Sequence, residues 1–251
     1  MSVNWSKYSA PQAFYPLAGR LIPWFAVVAV ALMGVGLYMG FFVAPTDFQQ
    51  GESYRIIFVH VPAAWMSMFL YVVMAVWAGI GLGLNARLSF MMAQAIAPTG
   101  AMFTFLALLT GAMWGKPTWG AWWVWDARLT SELILLFQYA GVMLLRTSID
   151  DLRRADRSSA VFALVGVVNV PIIYYSVQWW NTLHQGASVS MSTGSKMAAT
   201  MLMAMLIMTI AFWLYSIAVI LARVRCIVVE RDLLPVWDER SAVSQEVVEV
   251  R

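Results

Sequence analysis

Two histidines and a cluster of tryptophans are the residues of this sequence best suited to chemistry. His60 and His184 are the only histidines among the 251 residues, and neutral imidazole is a common ligand of transition metals. Between them lies the stretch WGKPTWGAWWVWDARLT, whose five tryptophans are Trp114, Trp119, Trp122, Trp123 and Trp125. Such a stretch is either an anchor at the lipid headgroups or a binding surface for a large flat ligand.

The number of available donors narrows the kind of metal site. Zinc or copper would need more than two protein ligands, and no cysteine or acidic cluster accompanies the histidines. Haem needs only two axial ligands, because the porphyrin supplies the other four. Its faces suit tryptophan and its propionates need cations, for which Arg55 and Arg128 are the best placed. A lone histidine is more often an interfacial or capping group, but the pair predicts two axial ligands of haem.

The composition is that of an integral membrane protein. Hydrophobic residues make up 61% of the chain and charged residues 12%, about half the charge of a soluble domain. Since a spanning helix needs about 20 apolar residues, six spans are predicted, at 21–43, 61–84, 92–113, 128–146, 159–177 and 197–222. The fourth apolar run is short, but a five-span count would place the basic residues on inconsistent sides. We therefore predict an all-α membrane domain over 21–222, with an N-terminal segment 1–20 and a tail 223–251.

The basic residues predict the orientation, because cytoplasmic loops retain lysine and arginine. With the N-terminus inside, twelve basic residues fall in inner segments and four in outer loops. The inner ones are Lys7, Arg20, Arg87, Arg146, Arg153, Arg154, Arg157, Arg223, Arg225, Arg231, Arg240 and Arg251, and the outer ones are Arg55, Lys116, Arg128 and Lys196. Both termini are thus predicted to be cytoplasmic, and the tryptophan-rich loop 114–131, between helices 3 and 4, periplasmic. The net charge of +3 reflects this topology and does not indicate nucleic-acid binding.

The distribution of tryptophan favours a ligand-binding surface over a lipid anchor. Eight of the thirteen tryptophans fall on the predicted outer side, whereas an interfacial belt would occupy both sides. Two neighbouring residues also have plausible structural roles. Asp126 is suited to be the N-cap of the fourth span, and Arg128 shares a helix face with Glu132. Pro171 is predicted to bend the fifth span just before Tyr174, which places His184 on the outer side.

Three stretches resemble a known family. WGKPTWGAWWVWDARLTSEL, IIFVHVPAAW and VQWWNTLHQGAS are similar to the C proteins of the bacterial cytochrome c maturation system. These belong to a haem-handling family named for a WWD signature, which stands here with substitutions as Trp122, Trp123, Val124, Trp125 and Asp126. The resemblance extends from the first span to the sixth.

The resemblance implies a multi-pass protein of the bacterial inner membrane that holds haem b non-covalently between His60 and His184. The haem would lie against the tryptophan-rich loop, whose tryptophans and Asp126 are implied to contact it. It also implies delivery of that haem to a periplasmic haem chaperone, the E protein of the system. The ABC transporter subunits A and B and a small single-span D protein are further implied partners, together with the lipid bilayer and no nucleic acid. The chain carries no Walker A motif, so any ATP hydrolysis must belong to a partner. Whether the protein promotes the covalent bond between haem and chaperone stays open.

Three other functions fit the sequence less well. A membrane b-type cytochrome would carry its histidines within the spans, and usually more than two of them. The related haem lyases of the WWD family have further spans and histidines. Oligosaccharyl transferases also carry a WWD signature, but it continues into Tyr-Gly and accompanies acidic metal ligands that this sequence lacks. With two histidines at the outer boundary, delivery of haem is the favoured interpretation.

Overall fold

The computed structural model describes residues 8–180, 182–184, 189–190, 194–195 and 197–233. Within these residues the protein is an all-α membrane protein with six segments long and apolar enough to cross a bilayer. They are Pro11–Val43, Glu52–Leu84, Arg87–Trp119, Ala127–Ser148, Leu152–Trp179 and Ala199–Asp232. This confirms the six-span prediction, although most segments extend beyond the purely apolar runs.

Seven α-helices form these segments in the described part of the chain. They are α1 (Pro11–Tyr38), α2 (Ile57–Leu84), α3 (Arg87–Trp119), α4 (Ala127–Ser148), α5 (Leu152–Gly166), α6 (Asn169–Trp179) and α7 (Ala199–Val228). Short π-helical turns, Met39–Val43 and Val229–Leu233, extend α1 and α7, and a 3-10 turn, Glu52–Ile56, leads into α2. Val189–Ser190 pairs antiparallel with Gly194–Ser195.

Helix α2 lies at the centre of the bundle, where it contacts α3, α5 and α7, while α1 packs mainly on α7. Buried tyrosines connect the central helices. The Tyr139 hydroxyl on α4 donates to the carbonyl of Ser67 on α2 at 2.8 Å, and the Tyr139 ring meets Tyr71 edge-to-face at 4.9 Å. Gly100 on α3 leaves room for Tyr139, since a Cβ there would lie 2.1 Å from the Tyr139 Cζ. These contacts fix α3 and α4 against α2.

The connection between α3 and α4 is shorter than the predicted loop. Helix α3 continues past residue 113 to Trp119 and ends at Gly120, whose φ of 79° is the left-handed conformation that glycine adopts without strain. The connection then runs from 120 to 126. Asp126 is the N-cap of α4, as predicted, because its Oδ1 accepts from the Leu129 N–H at 2.8 Å.

The fifth span is broken earlier than the sequence predicted. Helix α5 ends at Gly166 and α6 begins at Asn169, so the break precedes Pro171 and does not follow it. The physical reason is that Pro171 has no N–H to bond the carbonyl of Val167, four residues earlier.

The two ends of the bundle differ in chemistry, and we name them for it. The histidine end holds the start of α2, the end of α3 and the residues that follow α6, with His60 and His184. The arginine end holds the end of α4 and the end of α7, with Arg146, Arg223 and Arg231.

Candidate functional site

His60 lies in the first turn of α2 and is buried with 8% of its surface exposed. Its Nδ1 is 3.0 Å from the Thr110 Oγ1 on α3. The Thr110 hydroxyl donates its single hydrogen to the carbonyl of Leu106 at 2.6 Å, so its oxygen accepts from the His60 Nδ1–H. In a neutral imidazole with this hydrogen bond, the Nε2 keeps its lone pair, which is the form that binds a metal.

Gly111, the residue after Thr110, makes space for the same ring. A Cβ at position 111 would lie 3.1 Å from the His60 Cε1, which is tighter than ordinary van der Waals contact. Two successive residues of α3 thus set the position of one imidazole, Thr110 by a hydrogen bond and Gly111 by its lack of a side chain.

His184 follows α6 and lies beside His60. The centroids of the two imidazole rings are 6.4 Å apart, and the ring planes are inclined by 39°. Burial, followed by the positive charge of Arg128, lowers the pKa of His184 to about 4. This imidazole is therefore neutral at pH 7, and its Nδ1 is buried without a hydrogen-bond partner among the described residues.

The two imidazoles border a cavity of about 230 Å³, which we call the histidine cavity. Five further lining residues carry rings or charge, and they come from four different helices: Trp65 from α2, Trp114 and Trp119 from α3, Arg128 from α4 and Tyr174 from α6. Other lining residues are Val61, Ala64, Met68, Gly111, Gly115, Thr118, Val177, Gln178 and Met205. The cavity thus combines an apolar wall with two nitrogen donors and one cation.

Trp114 and Trp119 of the predicted aromatic surface contact the histidines directly. The Trp114 ring meets His60 edge-to-face at 5.6 Å, and its Nε1 donates to the Gln50 Oε1 at 2.8 Å. The Trp119 ring meets His184 at 5.1 Å with an interplanar angle of 61°. Each imidazole is therefore supported by one tryptophan of α3.

The other predicted aromatic residues lie on the connection beside the cavity and do not line it. Trp122 and Trp125 are 59% and 77% exposed. Trp123 is partly buried and packs edge-to-face on Trp125 at 5.3 Å. Buried polar atoms without a partner among the described residues occur here too, at the Trp123 Nε1 and the Asp126 Oδ2.

The two predicted arginines are placed differently. Arg128 lines the histidine cavity, and its Nη1 donates to the carbonyl of Ile173 at 3.4 Å. In the described part of the chain it forms no ion pair with Glu132, whose Oε1 lies 2.6 Å from the Ser67 Oγ. Arg128 therefore keeps most of its donors available to the cavity.

Arg55 lies outside the cavity lining and has other partners. Its Nη1 donates to the carbonyls of Gly40 at 2.6 Å and Ala44 at 3.1 Å, and its Nε pairs with Glu52. These bonds join the end of the first span to the start of the second. Its predicted role in haem binding stays a prediction.

Sequence reasoning missed several residues of the site. Thr110 and Gly111 lie within an apolar span, where threonine and glycine usually serve packing, and Gln50 and Tyr174 carry no motif. Their roles depend on which helices pack together. Within residues 8–180 and the shorter described segments that follow, no group of three or more His, Cys, Asp or Glu is placed to hold a metal ion.

Comparison with known proteins identifies the family. A family model described as "Heme exporter protein C" matches residues 4–239. The protein of that name from Bradyrhizobium diazoefficiens is 49% identical over 240 residues, which are 94% of this chain and 90% of the relative. Its namesake from Escherichia coli K12 is 54% identical over 182 residues, 72% of this chain and 74% of the relative. That from Haemophilus influenzae is 42% identical over 230 residues, 92% and 94%. The chain therefore belongs to the haem exporter protein C family.

Proposed function

We propose that this protein binds haem b between His60 and His184 at the periplasmic face of the bacterial inner membrane and delivers it to a periplasmic haem chaperone. The observation that carries the proposal is the separation of the two imidazoles. A bond from a transition metal to an imidazole nitrogen is about 2 Å long. When two imidazoles bind one metal from opposite sides, the distance between their ring centroids is the sum of the two metal–nitrogen bonds and the two distances from nitrogen to ring centre, which is about 6 Å. The separation of 6.4 Å between His60 and His184 fits this arrangement.

The protonation of both histidines supports the same function. Thr110 leaves the His60 Nε2 with its lone pair, and His184 is neutral at pH 7. Neither imidazole would have to lose a proton before binding iron. Haem would supply the iron and the four equatorial nitrogens, so no further protein ligand is required.

The charge and the size of the histidine cavity support a partly enclosed haem. Arg128 is the cation in the lining and is suited to a propionate. The cavity, at about 230 Å³, is below the range of roughly 300–1,000 Å³ usual for enclosed drug-sized ligands. A porphyrin would therefore keep part of its edge outside, which suits a protein that hands haem to another. Trp122, Trp123, Trp125 and Asp126, on the adjacent connection, are proposed to contact this outer part.

Non-covalent binding and the proposed partners follow from the sequence and the relatives. The single cysteine, Cys226, lies near the end of α7 at the arginine end, so it is remote from the histidine cavity. The name of the relatives describes haem export. We therefore propose the haem chaperone as the recipient and the transporter subunits A and B and the small D protein as associated components. The twelve-to-four distribution of basic residues supports a periplasmic histidine end.

An absorption spectrum tests haem binding, and a transfer assay tests delivery. The full-length protein, purified in detergent, is expected to bind one haem as a six-coordinate low-spin species. Mixing it with purified, haem-free chaperone should move the haem signal to the chaperone on size-exclusion chromatography. A folded protein that binds no haem would contradict the proposed site. Stable haem that exchanges electrons rapidly with a quinol, and does not transfer, would instead support the b-type cytochrome.

A further inference from the structure

A second cavity lies at the arginine end of the bundle, and we call it the arginine cavity. Its volume is about 330 Å³, and its lining comes from α2, α3, α4, α5 and α7. The wall is largely apolar: Met74 and Phe90 form part of it, and the small side chains of Ala78, Ala93, Ala97 and Ala163 leave the space open. The exposed residues Thr147 and Cys226 also line it, so the cavity reaches the surface of the bundle.

The polar part of the lining carries more positive than negative charge. Asp156 is shared by two arginines, with the Arg146 Nε at 3.3 Å and the Arg231 guanidinium bound through two contacts at 3.0 and 3.1 Å. All three side chains are 13% exposed or less. One carboxylate therefore balances one of these two cations.

Arg223 adds a third cation to the same group. It lines the cavity and donates to the Thr99 Oγ1, and no carboxylate within residues 8–233 that the structure describes lies at salt-bridge distance from it. The lining thus holds two cations, Arg146 and Arg223, and one carboxylate, Asp156, which Arg231 also binds. Partly buried charge without a counterion is unfavourable, so the arrangement favours an anion from outside the protein.

We propose that the arginine cavity binds an anionic phospholipid. The phosphate would lie against Arg223 and Arg146, and the start of the acyl chains would lie on the apolar wall. A basic pocket between membrane helices is a recognised form of binding site for acidic lipid headgroups. The volume exceeds that of a small inorganic anion, and the apolar wall would gain nothing from one. This inference is independent of the haem site, because it rests on residues at the opposite end of the bundle.

The single cysteine of the chain provides a direct reporter. Cys226 lines the cavity and is exposed, so a bound lipid should shield it from a maleimide. We expect the wild-type protein in nanodiscs to react about tenfold more slowly when phosphatidylglycerol is present than in phosphatidylcholine alone. Equal rates in the two lipids would overturn the proposal. This measurement needs no variant and therefore does not depend on the folding of one.

Native mass spectrometry with two matched variants locates the lipid. Arg223→Gln removes the cation without a carboxylate partner, whereas Arg157→Gln removes an exposed cation from the same end that does not line this cavity. We expect the wild type and Arg157→Gln to retain one phosphatidylglycerol, and Arg223→Gln to retain it about tenfold more weakly. Equal retention by all three would overturn the proposal. Protection of Cys226 by haem in phosphatidylcholine nanodiscs would also overturn it, in favour of haem as the occupant.

Discussion

Thr110 on α3 and His60 on α2 form the hydrogen bond that orients the imidazole at the histidine end. The Thr110 Oγ1 accepts from the His60 Nδ1–H at 3.0 Å because its own hydrogen is donated to the carbonyl of Leu106 at 2.6 Å. A hydroxyl on α3 thus positions a ligand on α2, and the orientation of the imidazole depends on how closely these two helices pack. Hydrogen bonds of this kind orient ligands and raise their basicity.

Thr110→Val should weaken haem binding while leaving the fold intact. Valine has nearly the same shape but cannot accept the His60 Nδ1–H, so we expect haem affinity to fall about tenfold. Haem titration of the purified variant measures the change. Thr104→Val is the matched control, since Thr104 is a buried threonine of α3 whose hydroxyl bonds only the carbonyl of Gly100. Equal losses in both variants would show that Thr110 acts through helix packing.

Replacement of either histidine should change the spin state of the iron. His60→Gly and His184→Gly each remove one imidazole, so the low-spin signal should disappear or convert when water enters the vacated position. Free imidazole should partly restore it, and the double variant should lose nearly all haem. Absorption and electron paramagnetic resonance spectra follow these changes. A fully low-spin spectrum in one single variant, without added imidazole, would exclude that histidine as a ligand.

Arg128→Gln should reduce haem retention by removing a charge-assisted contact to a propionate. The expected loss is about 1.5–3 kcal/mol, or roughly ten- to hundredfold in affinity. Arg153→Gln, an exposed substitution at the arginine end, should leave haem binding unchanged. Both are measured by haem titration in the same detergent. If Arg153→Gln weakens binding as much, the assignment of the propionate to Arg128 is wrong.

The Arg55→Gln variant tests whether Arg55 stabilises the fold or binds a haem propionate. Its guanidinium holds the carbonyls of Gly40 and Ala44, so its loss should lower the free energy of unfolding by about 1–3 kcal/mol. Thermal unfolding without haem should show a lower Tm than the wild type. A normal Tm together with weakened haem binding would instead support the role in propionate binding that the sequence suggested for Arg55.

Trp119→Ala should weaken haem binding more than Trp125→Ala does. Trp119 lines the cavity and contacts His184, whereas Trp125 is 77% exposed outside the lining. By analogy with stacking on nucleobases, we expect a loss of about 1–3 kcal/mol at Trp119. Haem occupancy at equal membrane insertion is the measurement. Unchanged occupancy for both, and for Trp123→Ala, would favour the lipid-anchor interpretation of the tryptophans.

Much of the helical bundle could be predicted, because the start and length of a helix depend largely on residues that are close together in the sequence. Apolar length predicted six spans, and a carboxylate before a helix predicted the N-cap at Asp126. The end of α3 was misplaced because Lys116 and Pro117 resemble loop residues, although a proline near the C-terminus of a helix removes only one hydrogen bond. The sequence predicted the bend of the fifth span too far along the chain. Pro171 lacks the N–H that would bond the carbonyl of Val167, so the helix is interrupted one turn before the proline.

The site itself was predictable only in part, since its geometry depends on tertiary contacts. The histidines were identified by their rarity, and both lie at the same end. The sequence could not show that Thr110 faces His60 across a distance of fifty positions. Nor could it show that Arg55 would bond backbone carbonyls while Arg128 lines the cavity, because both are single cations near the predicted outer boundary.

The two imidazoles are supported very unequally. His60 belongs to a continuous helix of 28 residues and is fixed by Thr110 and Gly111. His184 lies beyond the end of an 11-residue helix, and no described residue bonds its Nδ1. The bond from iron to His60 should therefore have the longer lifetime, and exchange of haem with an incoming ligand should begin on the side of His184.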